Sequence, residues 1–128
     1  MKNKSRYFLA ELIGSCFLVM IIVGSGLMAE NLTNDVAVML IANTIATGAG
    51  LFVLITVFAD VSGAHFNPFV SIAMAITGKL KKKLLPFYII AQLVGCLIGV
   101  GLANFFFGHE IYELSTCLLY TSPSPRDQ

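Results

Sequence analysis

The sequence predicts an all-α membrane fold: three transmembrane helices plus one re-entrant half-helix. Three observations carry the prediction. Of 128 residues, 57% are hydrophobic and 12% charged, with a mean hydropathy of +0.85, a composition too apolar to wrap in polar surface. Three apolar runs reach the roughly 20 residues that a bilayer crossing needs. Between the second and third lies Ser62-Gly63-Ala64-His65-Phe66-Asn67-Pro68, which no ordinary spanning helix accommodates.

The first run, residues 8–28, follows Lys2, Lys4 and Arg6. It is long enough to span, and it lacks a small-residue cleavage site, so it reads as a helix that stays. The second run covers residues 36–58, and the connector before it carries Glu30 and Asp35 but no Lys or Arg. A fourth run, residues 69–77, is about half a span in length and reads as re-entrant. The remaining span, residues 84–107, follows Lys79, Lys81, Lys82 and Lys83. The excess of Lys and Arg places the N-terminus and the lysine-rich connector in the cytoplasm of a plasma (inner) membrane. The re-entrant segment then dips in from the cytoplasmic side, and the lysines read as a solvated, orienting loop. Glycines recur inside the spans, and Gly95-x-x-x-Gly99 has the spacing that lets two helix backbones approach closely.

The same composition excludes several functions. A net charge of +1 gives no electrostatic footprint for nucleic acid. Cys16, Cys96 and Cys117 show no metal or redox spacing and read as small apolar thiols. No nucleophile–base pair, metal cluster or phosphate loop is present, so neither an enzyme nor a cofactor is expected. Residues 1–116 form the native-looking unit. Residues 117–128, a short apolar start followed by Ser/Pro repeats, resemble translated adapter read-through, with a disordered tail as the alternative.

The segment at 62–68 carries the chemistry. Irregular backbone at membrane depth must be buried in protein or line a water-filled path. Pro68 suits the first turn of a helix, where a missing N–H is no loss. The chain therefore enters as a loop, turns at Asn67 and starts a short helix. That helix directs about half a positive charge at its N-terminus, which disfavours cations and migrating protons there. The Asn67 carboxamide can donate to a passing oxygen and cap the helix, through different atoms.

Ala10-Glu11 followed by Gly14, the 62–68 segment, and Ala91-Gln92-x-x-Gly95 occur in this order and spacing. Together they resemble the major intrinsic protein family, the aquaporins and aquaglyceroporins, over about residues 6–115. The resemblance implies the first inverted repeat of a six-span channel, embedded in a lipid bilayer and homotetrameric when full length. It implies passive conduction of water or small neutral solutes. Asn67 is then a pore donor, paired with a second Asn from another half, and no second Asn-Pro occurs here. Gly63, Ala64, His65 and Phe66 resemble the segment whose backbone carbonyls form an acceptor ladder. His65 reads as an imidazole bracing the loop, with a gate or pH sensor as the alternative. Glu11 is expected to accept from backbone N–H groups of the loop, and Gln92 is the other buried structural polar residue.

Two positions depart from the family pattern. Phe69 stands where the residue after Asn67-Pro68 is usually Ala, at the contact between half-helices. Thr47 falls at a constriction position that usually carries an aromatic residue. A Thr there widens the path and points to glycerol-like polyols, urea or undissociated metalloid hydroxides. Two rival readings remain open: a proton-coupled small transporter using Glu11, and a non-conducting half-channel assembly subunit.

Overall fold

The computed structural model describes residues 2–111; Cys117 and the rest of 117–128 lie outside them. Helix α1 spans Lys2–Leu32, α2 Val36–Ser62, α3 Pro68–Ile76 and α4 Leu85–Phe106, with a 3-10 turn at Lys82–Leu84 ahead of α4. At 1.5 Å per residue, the 31, 27 and 22 residues of α1, α2 and α4 make rods of about 46, 40 and 33 Å. Each exceeds the roughly 30 Å of hydrocarbon in a bilayer. The nine residues of α3 reach only about 13 Å. The described residues thus form the all-α membrane fold that composition and run lengths predict.

The helices run past the apolar stretches that announce them. Helix α1 begins at Lys2 rather than residue 8, because Lys and Arg are good helix formers that extend the backbone ladder into polar surroundings. Helix α2 continues beyond residue 58 to Ser62 and stops at Gly63, whose φ of 90° is left-handed. The Gly63 N–H donates to the Ala59 carbonyl at 2.9 Å. At the other end Asp35 caps α2, its Oδ1 accepting from the N–H groups of Ala37 (2.9 Å) and Val38 (3.2 Å).

Helix α1 lies between α4 and α2. Its crossing with α4 is close enough for backbone contact. A Cβ added to Gly95 would overlap the carbonyl oxygen of Leu12, and one added to Gly99 would overlap that of Cys16. Lipid is as apolar as leucine, so close packing and interhelical hydrogen bonds are what hold such helices together. Against α2, Asn43 Nδ2 donates to the Ile22 carbonyl at 2.9 Å. The rest of α2 faces outward: only 11% of its apolar window is buried, and Ile45, Phe52 and Val57 are exposed. Such a face suits lipid or further protein, not water. Helix α3 packs on α4, where Ala75 and Leu80 enclose Tyr88.

Candidate functional site

The apolar environment sets the problem for Glu11. A carboxylate inside a spanning helix must be surrounded by donors or neutralised. Glu11 is fully buried, and four donors meet it from three other segments. Its Oε1 accepts from the Ser62 hydroxyl at 2.6 Å and the His65 N–H at 3.0 Å. Its Oε2 accepts from the Phe66 N–H and from Gln92 Nε2, both at 2.8 Å. All four groups donate, which matches the acceptor capacity of the two carboxyl oxygens. The same Gln92 Nε2 reaches Ser71 Oγ on α3 at 2.9 Å, and that hydroxyl lies 3.0 Å from His65 Nδ1. One carboxylate thereby ties α1 to the end of α2, the loop and α4, and Ser71 adds α3.

The loop needs such restraint. Ala64 and Phe66 hold φ values of 51° and 48°, the left-handed region that side chains with a Cβ avoid. Each such residue costs on the order of 1 kcal/mol or more. The bonds from Glu11 to the N–H groups of His65 and Phe66 fix the backbone around both. With the N–H groups of Gly63, Ala64, His65 and Phe66 bonded inward, no donor among the described residues reaches their carbonyls. Four acceptors in sequence are left for a ligand or water.

Phe66 divides its roles between side chain and backbone. Its ring is buried, lying edge-on to Phe58 with centroids 5.8 Å apart. On its other side a Cβ on Gly14 would collide with the ring, so the absence of a side chain there makes the room. Only the backbone of Phe66 is left to face a path. His65 packs against Tyr88 with centroids 5.1 Å apart, and Tyr88 donates its hydroxyl to the Ser62 carbonyl at 2.7 Å. Tyr88→Phe is expected to leave that carbonyl buried and unpartnered, lowering stability by about 1–2 kcal/mol. Thermal unfolding in detergent measures it; an unchanged midpoint would show that Tyr88 does not hold the loop.

Asn67 follows at the exposed end of the loop, with extended backbone at φ −151° and ψ 127°. Its Oδ1 accepts from the Phe69 N–H at 2.8 Å, capping α3 with Pro68 in the first turn. Its Nδ2 has no partner among the described residues and is free to donate. Phe69 stands beside it, 82% exposed. Thr47 lies half-buried on α2, with its hydroxyl 3.4 Å from Asn43 Oδ1. It shares no hydrogen bond with the loop. Sequence reasoning included Ser62 in the loop segment without giving it a role, and did not single out Ser71 and Tyr88 as parts of the site. The only available signal was polarity at apolar depth, which Ser71 and Tyr88 both carry.

Three spanning helices and a half-helix whose loop offers one donor and four acceptors define an integral membrane protein with a re-entrant polar segment. The model of the Major intrinsic protein family matches residues 1–123. Aquaglyceroporin AqpS of Rhizobium meliloti is 48% identical over 111 residues, which are 87% of this chain and 48% of that protein. Aquaporin NIP1-2 of Arabidopsis thaliana is 37% identical over 78% of this chain and 33% of its own length. Aquaporin-8 of Mus musculus is 40% identical over 75% of this chain and 35% of its own. The chain belongs to the major intrinsic protein family. It spans between a third and a half of these curated relatives.

Proposed function

We propose that residues 1–116 form the first half of a passive channel for water or small neutral solutes. The observation that carries this is the pairing of an unengaged Asn67 Nδ2 with four unengaged carbonyls at residues 63–66. A solute hydroxyl donates to the carbonyls and accepts from Asn67, replacing the bonds it leaves in water. Water held at Asn67 has its oxygen committed to accepting, and the α3 N-terminus adds positive potential, so protons and cations are disfavoured. Thr47 offers a wider, more polar constriction than an aromatic would. That favours glycerol, urea or metalloid hydroxides such as arsenous acid over water alone. The printed name of the rhizobial relative, an aquaglyceroporin, supports the same solute class.

The lysine distribution supports a cytoplasmic N-terminus in a plasma (inner) membrane, and the exposed apolar face of α2 supports contact with lipid or a second half. The full-length channel is a homotetramer in this reading, and it carries out no covalent chemistry. A proton-coupled transporter would need Glu11 to load and release a proton. Its complete enclosure by four donors supports an anchoring role instead.

The test joins this chain in frame to the second half of the rhizobial relative and measures swelling of proteoliposomes. The chain alone is expected to give no solute-specific permeability, because half of the pore wall is absent. In the joined channel, Asn67→Asp keeps an oxygen to cap Phe69 but removes the donor. It is expected to lower glycerol permeability about tenfold or more with the fold intact. Unchanged glycerol flux in that variant would remove Asn67 from the path.

A further inference from the structure

We propose that the end of the bundle holding the first turns of α1 and the 79–83 connector carries a binding site for a phosphate-bearing anion. A cavity of about 710 Å³ opens there. Lys4 lines it from α1, and Lys79, Lys81 and Lys83 line it from the connector; the only carboxylate in the lining is Asp60, from the end of α2. Two separate stretches of chain thus bring four lysines to one concavity. Among the described residues none of the four is in an ion pair; Lys4 lies 5.3 Å from the Phe87 ring centroid, a cation–π contact. Tyr7 adds a phenolic hydroxyl to the wall.

Orientation in a membrane needs lysines on one side, but it does not need them gathered around one cavity. Lys82 sits in the same run and does not line it. Lys81 and Lys83, its neighbours on either side, both do. Like charges gathered around one cavity repel, and an anion bound among them relieves this. Lysine binds phosphate as a point charge, and a phosphate group offers enough acceptor oxygens for several lysines at once. The volume exceeds that of one phosphate ion, leaving room for the rest of a phosphate-bearing molecule. The source is either a soluble phosphate compound or the headgroup of an anionic phospholipid. Gly63 and His65 also line the cavity, so the site adjoins the loop described above, but its lysines take no part in the conduction reading.

The test places the chain in nanodiscs and has two arms. In phosphatidylcholine discs, inorganic pyrophosphate is titrated calorimetrically at constant ionic strength. In discs doped with phosphatidylglycerol, retained lipid is counted by native mass spectrometry. Saturable binding in the first arm identifies a soluble ligand; saturable retention in the second alone identifies a headgroup. In the responding arm, Lys81→Gln and Lys83→Gln are each expected to weaken binding about threefold or more. Asp60→Asn is expected to tighten it, and Lys82→Gln, with the same change in net charge, to leave it unchanged. No saturable binding in either arm would overturn the site. So would a loss at Lys82→Gln equal to that at Lys81→Gln and Lys83→Gln, which would reduce the effect to general surface charge.

Discussion

Glu11→Leu is expected to lower stability by about 3–5 kcal/mol, as removal of one partner from a buried charged network does. The substitution strands the Ser62 hydroxyl, the His65 and Phe66 N–H groups and one Gln92 donor in an apolar interior. It also frees the two left-handed residues, Ala64 and Phe66, to relax to ordinary backbone. Glu11→Gln is expected to cost less, about 1–3 kcal/mol. Its amide NH2 fits best in place of Oε1, where the Ser62 hydroxyl can rotate to accept and only the His65 N–H is left opposed. Thermal or denaturant unfolding in detergent, followed by circular dichroism, gives the order wild type, Gln, Leu. Limited proteolysis is expected to cut within residues 62–67 first in the Leu variant. A Glu11→Leu protein within 1 kcal/mol of wild type would mean that the carboxylate does not anchor the loop.

Gly95→Leu is the second large effect, at about 3 kcal/mol or more. Most overpacked sites give way through a side chain. Here the added Cβ meets the Leu12 carbonyl oxygen, and the Cys16 backbone lies just beyond it. Relief requires α1 and α4 to separate, which lengthens the Gln92–Glu11 bond and couples the crossing to the site. Even Gly95→Ala is expected to destabilise. Gly48→Ala is the control, because an added Cβ there meets nothing within 4 Å. In a helix Ala is favoured over Gly by about 1 kcal/mol, so that variant is expected to be neutral or more stable. Equal midpoints for Gly95→Ala and Gly48→Ala would remove backbone contact as the basis of the crossing.

Much of this arrangement was legible because a membrane narrows the choices. A Gly, an imidazole and Asn67-Pro68 between apolar runs admit only a protected loop followed by a helix. The shortness of the 69–77 run marks that helix as half a span. Glu11 was legible from the cost of a charge at that depth, and Gln92 through the family resemblance; the two meet at 2.8 Å. The roles of Ser62 and Ser71 were not legible, because small hydroxyls at apolar depth also bond to their own helix. Thr44 does so, to the Leu40 carbonyl at 2.7 Å. The role of Tyr88 was not legible, because its partner carbonyl lies 26 residues earlier. Only the tertiary arrangement decides which hydroxyls turn inward. The buried ring of Phe66 was hidden for a related reason. Its space is made by Gly14, 52 positions earlier, and no local pattern connects the two. Helix ends were missed where polar residues continue the ladder beyond hydrocarbon.

The most direct measurement of the central claim is glycerol flux through the joined channel in proteoliposomes, with and without an imposed pH gradient. The account predicts flux down the glycerol gradient only, at a rate that neither polarity of the pH gradient changes, and retained in Glu11→Gln protein that folds. Accumulation of solute against its gradient, driven by protons and abolished in folded Glu11→Gln protein, would contradict it.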